Sequence, residues 1–409
     1  MAKRILSKMK NSSLLFYIDN YERLYFFKRF FSAVYSLEMN PVVITSVPSI
    51  HLRLKVSKIK TYLIKRPEKN KSHETEYNRN SLDLLTGTQD RKLSNLVYNS
   101  AKSLTLVILK NHNIILALIF NGSSTVAHAI SDSLNENSIK KVYFELANIP
   151  GKIFVDPDGV NAQSRLFHSP NILDEFSPPP SFEYTRWREW YLSVGNKPLQ
   201  ANLKNKFYLG NILDALLYKI GYGIDLNKGS LISRLTKKNI PGSKSSRGIL
   251  EEEKALPDRY VFIPLQVSDD TQLLLNSDFT NAEALIYANK EAIKRGLPLI
   301  VKIHPAEKSE KEIDKITAIA KDNNITISNS SASRLVSHAS LIITINSSVG
   351  LDALIRRKEV IFLGKTLYEN LTYDRLEKYI YHYLLNINYF NQQDISTSTF
   401  NMIIERAYI

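Results

Sequence analysis

Short β-branched runs alternate with stretches of helical period along this chain, the pattern that builds parallel α/β domains. Ser13 to Ile18 reads as a strand, Tyr21 to Met39 as a helix and Pro41 to Ser46 as a second strand. A helix follows near Leu93 to Leu104, and Ile114 to Phe120 is a strand ending in Asn121, Gly122, Ser123 and Ser124, with a helix and then a strand at Lys141 to Glu145. Strand, small-residue turn, helix, strand is the parallel unit, so the first domain is expected to be Rossmann-like. Residues 65–92 are polar and poor in periodicity and read as a surface loop.

The second half repeats the theme. A strand at Tyr260 to Pro264 precedes a helix over Asn281 to Arg295 that Gly296 ends. The run Leu297 to Ile303 is what a buried parallel strand looks like, and Pro305 cannot extend it, so His304 falls at its carboxyl end. Leu341 to Ile345 is another strand, followed by Asn346, Ser347, Ser348, Val349 and Gly350, then a helical pattern through Leu351, Leu354 and Ile355. Asn, Ser and Gly between strand and helix put backbone N–H groups at a helix N-terminus, where a phosphate or carboxylate is favoured. In open parallel sheets ligands bind beyond the carboxyl ends of the strands, so His304 and this turn are expected to face one crevice. The last strand is Val360 to Leu363.

The length, 409 residues, suits two domains. The expected division is residues 1–200 as an N-terminal Rossmann-like domain, 201–255 as a helical or mobile connector with a polar stretch at 230–253, 256–385 as a C-terminal Rossmann-like domain and 386–409 as a tail. With 44 % apolar and 23 % charged residues the composition is globular, and there are no cysteines, which excludes disulfides and thiolate metal sites. No apolar run approaches the roughly 18 residues a membrane span requires, and no signal peptide is visible. A cytoplasmic location is expected.

The net charge is +14, and residues 1–70 hold 14 Lys or Arg against 4 Asp or Glu, a net +10. Such a patch attracts an anionic polymer, lipid surface or substrate. It is interleaved with Tyr21, Tyr25, Phe26, Phe27, Phe30, Phe31 and Tyr35. On one helix Phe27, Phe30, Phe31 and Val34 form a core face, with Arg23, Lys28 and Arg29 solvated. A livelier reading lays part of this surface on an anionic membrane. Nucleic acid is not expected, because no recognition helix or stacking motif is visible.

Between Phe154 and Ser164 stands FVDPDGVNAQS. Asp156 follows a strand-like approach, Pro157 fixes a turn and Gly159 permits a backbone angle that other residues resist. A carboxylate on such a turn is a candidate nucleophile or general base; an ordinary Asx-turn is the plainer reading. Asp156, Pro157, Asp158 is also an Asp-x-Asp, which binds a divalent ion in single-domain metal-dependent transferases. The His-Pro edge and a second Rossmann-like half weigh against that. His112, His128, His338 and His382 lack any such context and read as structural.

Two Rossmann-like halves suggest the GT-B architecture, an α/β fold with two domains facing a central cleft. The ordered runs FNGSS, FELANIPGKIFVDPDGVNAQS, YVFIPLQVSDDTQ, IVKIHP, TINSSVGLDAL and VIFLGKTLY resemble the capsule polysaccharide synthesis and export family of Gram-negative bacteria. Within it they look most like the retaining β-Kdo transferases that build the lipid-linked capsule primer. The matches cover roughly Ile114 to Tyr368; the first hundred residues match only in style.

That resemblance implies a CMP-Kdo donor, no further cofactor, no essential metal, and retention of the β configuration. It implies His304 and Pro305 as the His-Pro motif at the donor phosphate, with Ser347 and Ser348 on the same group, and it adds Gln266, from the PLQ run, to the donor side. Lys302, Asn346 and Gly350 complete the candidate donor set; Asn121, Gly122, Glu145 and Asn161 are the candidates on the acceptor side. For the reacting carboxylate, Asp156 matches the family's acidic position three before a glycine, while Asp158 directly precedes Gly159 as in more distant Kdo and sialic acid transferases. Elementary chemistry agrees for the histidine: CMP leaves as a phosphate monoester, and a positioned donor stabilises the charge that develops. The expected acceptor is a lipid such as phosphatidylglycerol or a Kdo-lipid, met at the inner-membrane surface by a peripheral enzyme. A CDP-glycerol-type glycerophosphotransferase and a non-catalytic assembly or export factor are the alternatives.

Overall fold

The computed structural model describes residues 10–65, 76–194, 209–226 and 256–408. The polar stretch expected at 230–253 lies outside the described residues, as does much of the connector expected over 201–255. Strands β1 (Ser13–Ile18), β2 (Asn40–Thr45), β3 (Lys60–Leu63), β4 (Ile114–Phe120), β5 (Lys140–Leu146) and β6 (Ile153–Asp156) form one sheet in the order β3-β2-β1-β4-β5-β6. All its neighbours are parallel except β5 and β6. Strands β7 (Val261–Pro264), β8 (Leu299–Lys302), β9 (Thr326–Ile327), β10 (Leu341–Thr344) and β11 (Glu359–Phe362) form a second, wholly parallel sheet in the order β11-β10-β7-β8-β9. The fold class is the one expected, α/β with two Rossmann-like sheets.

In the first sheet the order reverses between β1 and β4, which makes their carboxyl ends its topological switch point. Both strands are almost wholly buried, as strands covered on two faces must be. One face carries Leu14, Phe16, Leu116 and Leu118 into a core with Phe26, Phe27, Phe30 and Phe144. Phe26 packs edge-on against Phe120 and Phe144 at ring-centroid distances of 5.9 and 5.8 Å. The aromatic residues of 21–35 are thus mostly core.

Two of the three basic residues expected to be solvated are likewise engaged in the fold. Arg23 pairs with Asp19 at 2.5 Å with its guanidinium over the Phe120 ring, and the buried Arg29 donates to the carbonyls of Gln393 and Asn388 at 2.6 and 2.8 Å. Only Lys28 of the three is solvated. The expected single helix is two, Tyr21–Lys28 and Phe31–Ser36, because the Arg29 carbonyl accepts from the Ile395 N–H at 2.8 Å and leaves the helical ladder.

The domain limits also differ. The first compact unit is residues 1–165, 198–235 and 384–409, and the second is 166–197 and 236–383. The expected tail is a helix, Thr397–Tyr408, whose Phe400, Ile403, Ile404 and Ala407 complete the first core. Its spacing of three, one and three is the amphipathic signature, legible in the sequence. The helix Ser181–Val194, expected in the N-terminal domain, belongs to the second unit, where Arg188 donates to the Ile355 carbonyl at 2.7 Å.

Candidate functional site

In the second unit β7 lies between β8 and β10, so the loops after these three strands share one edge. Gln266 follows β7, His304 follows β8, and Asn346, Ser347 and Ser348 follow β10. Gln266 is buried and spends its amide on Asn346: Nε2 donates to Asn346 Oδ1 at 3.0 Å, and Oε1 accepts from Asn346 N at 3.3 Å. Asn281 holds the Gln266 backbone on both sides, at 3.2 and 2.8 Å. Asn346 Nδ2 goes on to the carbonyls of Gln272 and Asn276, at 2.8 and 3.3 Å. These two expected donor-binding side chains therefore face inward and fix the loops of the edge, because their polar groups are consumed by one another.

His304 is half-buried beyond the end of β8. The Ala306 N–H donates to its Nδ1 at 3.1 Å, so the neutral ring carries its proton on Nε2. Burial is the largest influence on its pKa and lowers it; Asp270 and Glu307 oppose the shift, and Lys302 adds to it. The imidazole is thus held neutral as an Nε2–H donor. Pro305 is exposed at the turn that follows.

Lys302 donates to the Asn329 carbonyl at 3.3 Å, and burial lowers its pKa. It lies two residues before His304 on the face of Ile300, which packs with Tyr260 and Phe262, whereas Val301 and Ile303 face the opposite core.

Ser347 caps the helix Ser348–Ile355, its Oγ accepting from Val349 N at 3.2 Å, and Ser347 and Ser348 are half-buried. Gly350 has a packing role. It is buried, and a Cβ there would fall 2.3 Å from Phe362 Cε1, so the glycine lets the helix approach β11. A pocket of about 220 Å³ opens beside this edge, lined by residues that include Phe167, Asp278, Phe362, Gly364, Lys365 and Glu369. The Lys365 N–H donates to Asn276 O at 2.8 Å, the carbonyl that also receives Asn346, so pocket and edge are one construction.

Sequence reasoning missed Glu307. Its carboxylate accepts from Ser268 N and Oγ at 2.7 and 3.2 Å, and from Lys308 N and Ser309 N at 2.8 Å each. Burial raises its pKa, but these donors together outweigh burial and hold the carboxyl below its usual range. Glu307 thereby staples the loop after β7 to the loop after β8, beside His304. An acid two residues beyond His-Pro and two before the helix cap Ser309 was the available signal. Asp270, whose carboxylate caps the helix Thr271–Asn276 through Gln272 N at 2.7 Å, is raised by burial and is the principal carboxylate in the field of His304.

In the first unit the candidates divide. Asp156 ends β6 fully buried, and its Oδ1 accepts from the N–H groups of Asp158, Gly159 and Arg165 at 2.9, 3.3 and 2.9 Å. Its place is the Asx-turn, a correction to its candidacy as the reacting group. Three N–H groups aimed at one oxygen also present a positive field, unsuited to a shared cation. Asp158 is presented outward, its side chain 53 % exposed and forked against Arg165 at 3.1 and 3.4 Å. Asn161 takes a left-handed backbone, and its carbonyl accepts from Ser164 Oγ at 2.7 Å.

Asn121 Nδ2 donates to Glu145 Oε2 at 2.5 Å. Gly122 lies against Tyr143, whose ring atoms would be 2.7 Å from an added Cβ. The helix that follows, Thr125–Glu136, is closed to an anion: the Asp83 carboxylate already accepts from Thr125 N at 2.7 Å. Among the described residues no carboxylate occupies the start of Ser348–Ile355 in this way. Of the other histidines, His128 and His112 bond to Tyr77 and Tyr62.

A model of the capsule polysaccharide biosynthesis protein family matches residues 117–382, well over half of the chain. The chain belongs to this family. Two curated proteins are similar to this chain. Protein FixF of Sinorhizobium fredii is 24 % identical over 62 % of this chain and 49 % of its own length. The capsule polysaccharide export protein KpsS of Escherichia coli is 28 % identical over 29 % of this chain and 33 % of its own. The chain thus spans about half of one relative and a third of the other. Among solved structures, the β-Kdo 2,7 transferase of Thermosulfurimonas dismutans KpsC is similar over 97 % of this chain and 100 % of that one, at 14 % identity and a TM-score of 0.43.

Proposed function

We propose that this protein is a glycosyltransferase that moves β-Kdo from CMP-Kdo to a lipid or Kdo-lipid acceptor in capsule assembly, with retention. The observation that carries the reading is the Ala306 N–H on His304 Nδ1, which leaves Nε2–H as a donor at the carboxyl edge of the second sheet. A phosphate oxygen there would accept from Nε2 and lie by the Ser347-capped helix start. As the bond from the sugar to CMP breaks, charge grows on that phosphate, and a preorganised donor stabilises it more than it stabilises the intact donor. A neutral imidazole does this without being a counter-ion that would hold the product.

For the carboxylate of a retaining reaction the reading takes Asp158. Its oxygen would bond to the anomeric carbon as the bond to CMP breaks, and an acceptor hydroxyl would then displace it, its proton passing to the freed carboxylate. Asp156 is the residue that shapes the turn. Family membership and the ordered motifs support the donor and the pathway. The test is product analysis by mass spectrometry with CMP-Kdo and with CDP-glycerol as donors. Transfer from CMP-Kdo alone supports the reading; transfer from CDP-glycerol, or none with release of neither nucleotide, replaces it with a glycerophosphotransferase or an assembly factor.

A further inference from the structure

The Leu209–Lys219 helix of the first unit wears its polarity reversed. It docks through small and polar groups. Asp214 accepts from Ser49 N at 2.6 Å and Ser49 Oγ at 2.7 Å, Tyr218 donates to the Ser46 carbonyl at 2.9 Å, and Gly210 lies so close to Tyr21 that a Cβ would meet its hydroxyl. The opposite face presents Ile212, Leu213, Leu216 and, just past the helix, Ile220, with exposures of 41, 42, 57 and 78 %. At about 100° per residue these four form one apolar stripe. The docking contacts fix the roll of the helix, so it cannot turn to bury them.

Cationic and aromatic side chains lie on and beside the elements that receive this helix. Lys219 is exposed within the helix. Arg53 donates to the Tyr25 hydroxyl at 3.2 Å with its guanidinium 5.5 Å from the ring centre, and Tyr25, beside Tyr21, is 43 % exposed. On another side Lys65 Nζ lies 4.5 Å from the Tyr222 ring centre, and Tyr222 is 6.4 Å from His51 on the helix Pro48–Val56 that receives the docking contacts. These residues fall in the part of the chain whose first 70 residues carry a net +10, from 14 basic and 4 acidic side chains.

We propose that this face, Ile212, Leu213, Leu216 and Ile220 with Lys219 on the same helix, docks on an anionic lipid surface together with the exposed Arg53 and Lys65 of the neighbouring elements. Aliphatic side chains at the acyl boundary with Lys, Arg and Tyr at headgroup level are the composition such a surface selects. A second copy of the chain fits less well, since a two-fold contact would set the cations against their own copies. The inference deepens the proposed transfer to a lipid acceptor by naming where the lipid phase is met. It rests on that reading only for its purpose, and because vesicle binding needs no donor, the two fail separately.

The test is sedimentation of the full chain with vesicles of phosphatidylcholine, with and without phosphatidylglycerol. Binding is expected to the mixed vesicles. Leu213→Ser with Leu216→Ser and Ile220→Ser should lower it roughly tenfold or more, with an unchanged melting curve because the replaced side chains are exposed. Arg53→Gln with Lys65→Gln and Lys219→Gln should erase the preference for phosphatidylglycerol. The proposal is overturned if the unaltered chain stays in the supernatant with mixed vesicles, or if the serine variant sediments equally. A doubled mass in light scattering that the serine variant abolishes would instead assign the face to a second copy.

Discussion

Ala306 N–H and His304 Nδ1 meet at 3.1 Å, and that single bond sets which nitrogen of the ring faces outward with a proton. Removing the ring should remove a donor to the leaving phosphate and little else. His304→Ala is expected to lower kcat by about 10²–10³, the cost of one preorganised oxyanion donor, with the melting temperature nearly unchanged. Comparable turnover in a folded variant would take His304 out of the site.

The same bond predicts the direction of the pH profile. Burial lowers the His304 pKa, against the pull of Asp270 and Glu307, so the neutral donor persists into mildly acidic solution. Activity should hold on acidification to the ordinary imidazole value of about 6.5 and fall only below it. A rate that rises as the ring protonates would mean an imidazolium does the work.

Two other histidines set a stability limit in the first unit. Burial, aided by Lys55 and Lys65 for His51 and by Arg79 for His128, lowers each from 6.5 to about 4. Between these values the unfolded chain binds more protons than the folded one, so stability rises with pH there. It should be complete above about 6.5 and be lost as the pH falls towards 4. Melting temperatures measured across that window should decline on the acid side, and His128→Gln should flatten the decline; a flat profile in the unaltered protein would contradict the burial of these rings.

The two aspartates of the Asp-Pro-Asp turn should part company on substitution. Asp156→Ala leaves three backbone N–H groups without their acceptor and should cost about 1–3 kcal/mol per donor stranded from water, visible as a lowered melting temperature. Asp158→Ala, at a 53 % exposed side chain, should leave the melt alone and abolish turnover. The reverse assignment of effects would restore Asp156 as the reacting group.

Gly350 offers a packing test. Gly350→Ala puts a methyl group 2.3 Å from Phe362 and should destabilise by about 1–3 kcal/mol. Adding Phe362→Leu should recover part of the loss in a double-mutant cycle. No coupling would place the glycine's importance elsewhere.

The strands were the most legible part of the sequence. β1 and β4 run from Ser13 to Ile18 and from Ile114 to Phe120 as their apolar runs require, and β8 stops just short of His304 because Pro305 cannot join a ladder. β3, whose Lys60 is exposed and whose Thr61 and Tyr62 are half-buried, gave no such run. Long-range polar contacts were not legible. Nothing near Arg29 announces that the Ile395 N–H will take its carbonyl, and nothing near Gln266 says that Asn346, 80 residues on, will consume its amide. Residue types near the site were therefore readable, while the division into groups that face a ligand and groups that hold the loops needed the fold. Asp156 and Asp158 divide on the same ground, since only the turn's amides distinguish them.

The most direct test of the central claim is a single mass-spectrometric assay of the purified chain with CMP-Kdo and a fluorescent phosphatidylglycerol or Kdo-lipid acceptor. The reading predicts one added Kdo or more, stoichiometric release of CMP, and loss of both in His304→Ala. An acceptor of unchanged mass beside intact CMP-Kdo, in protein shown to be folded, would contradict it.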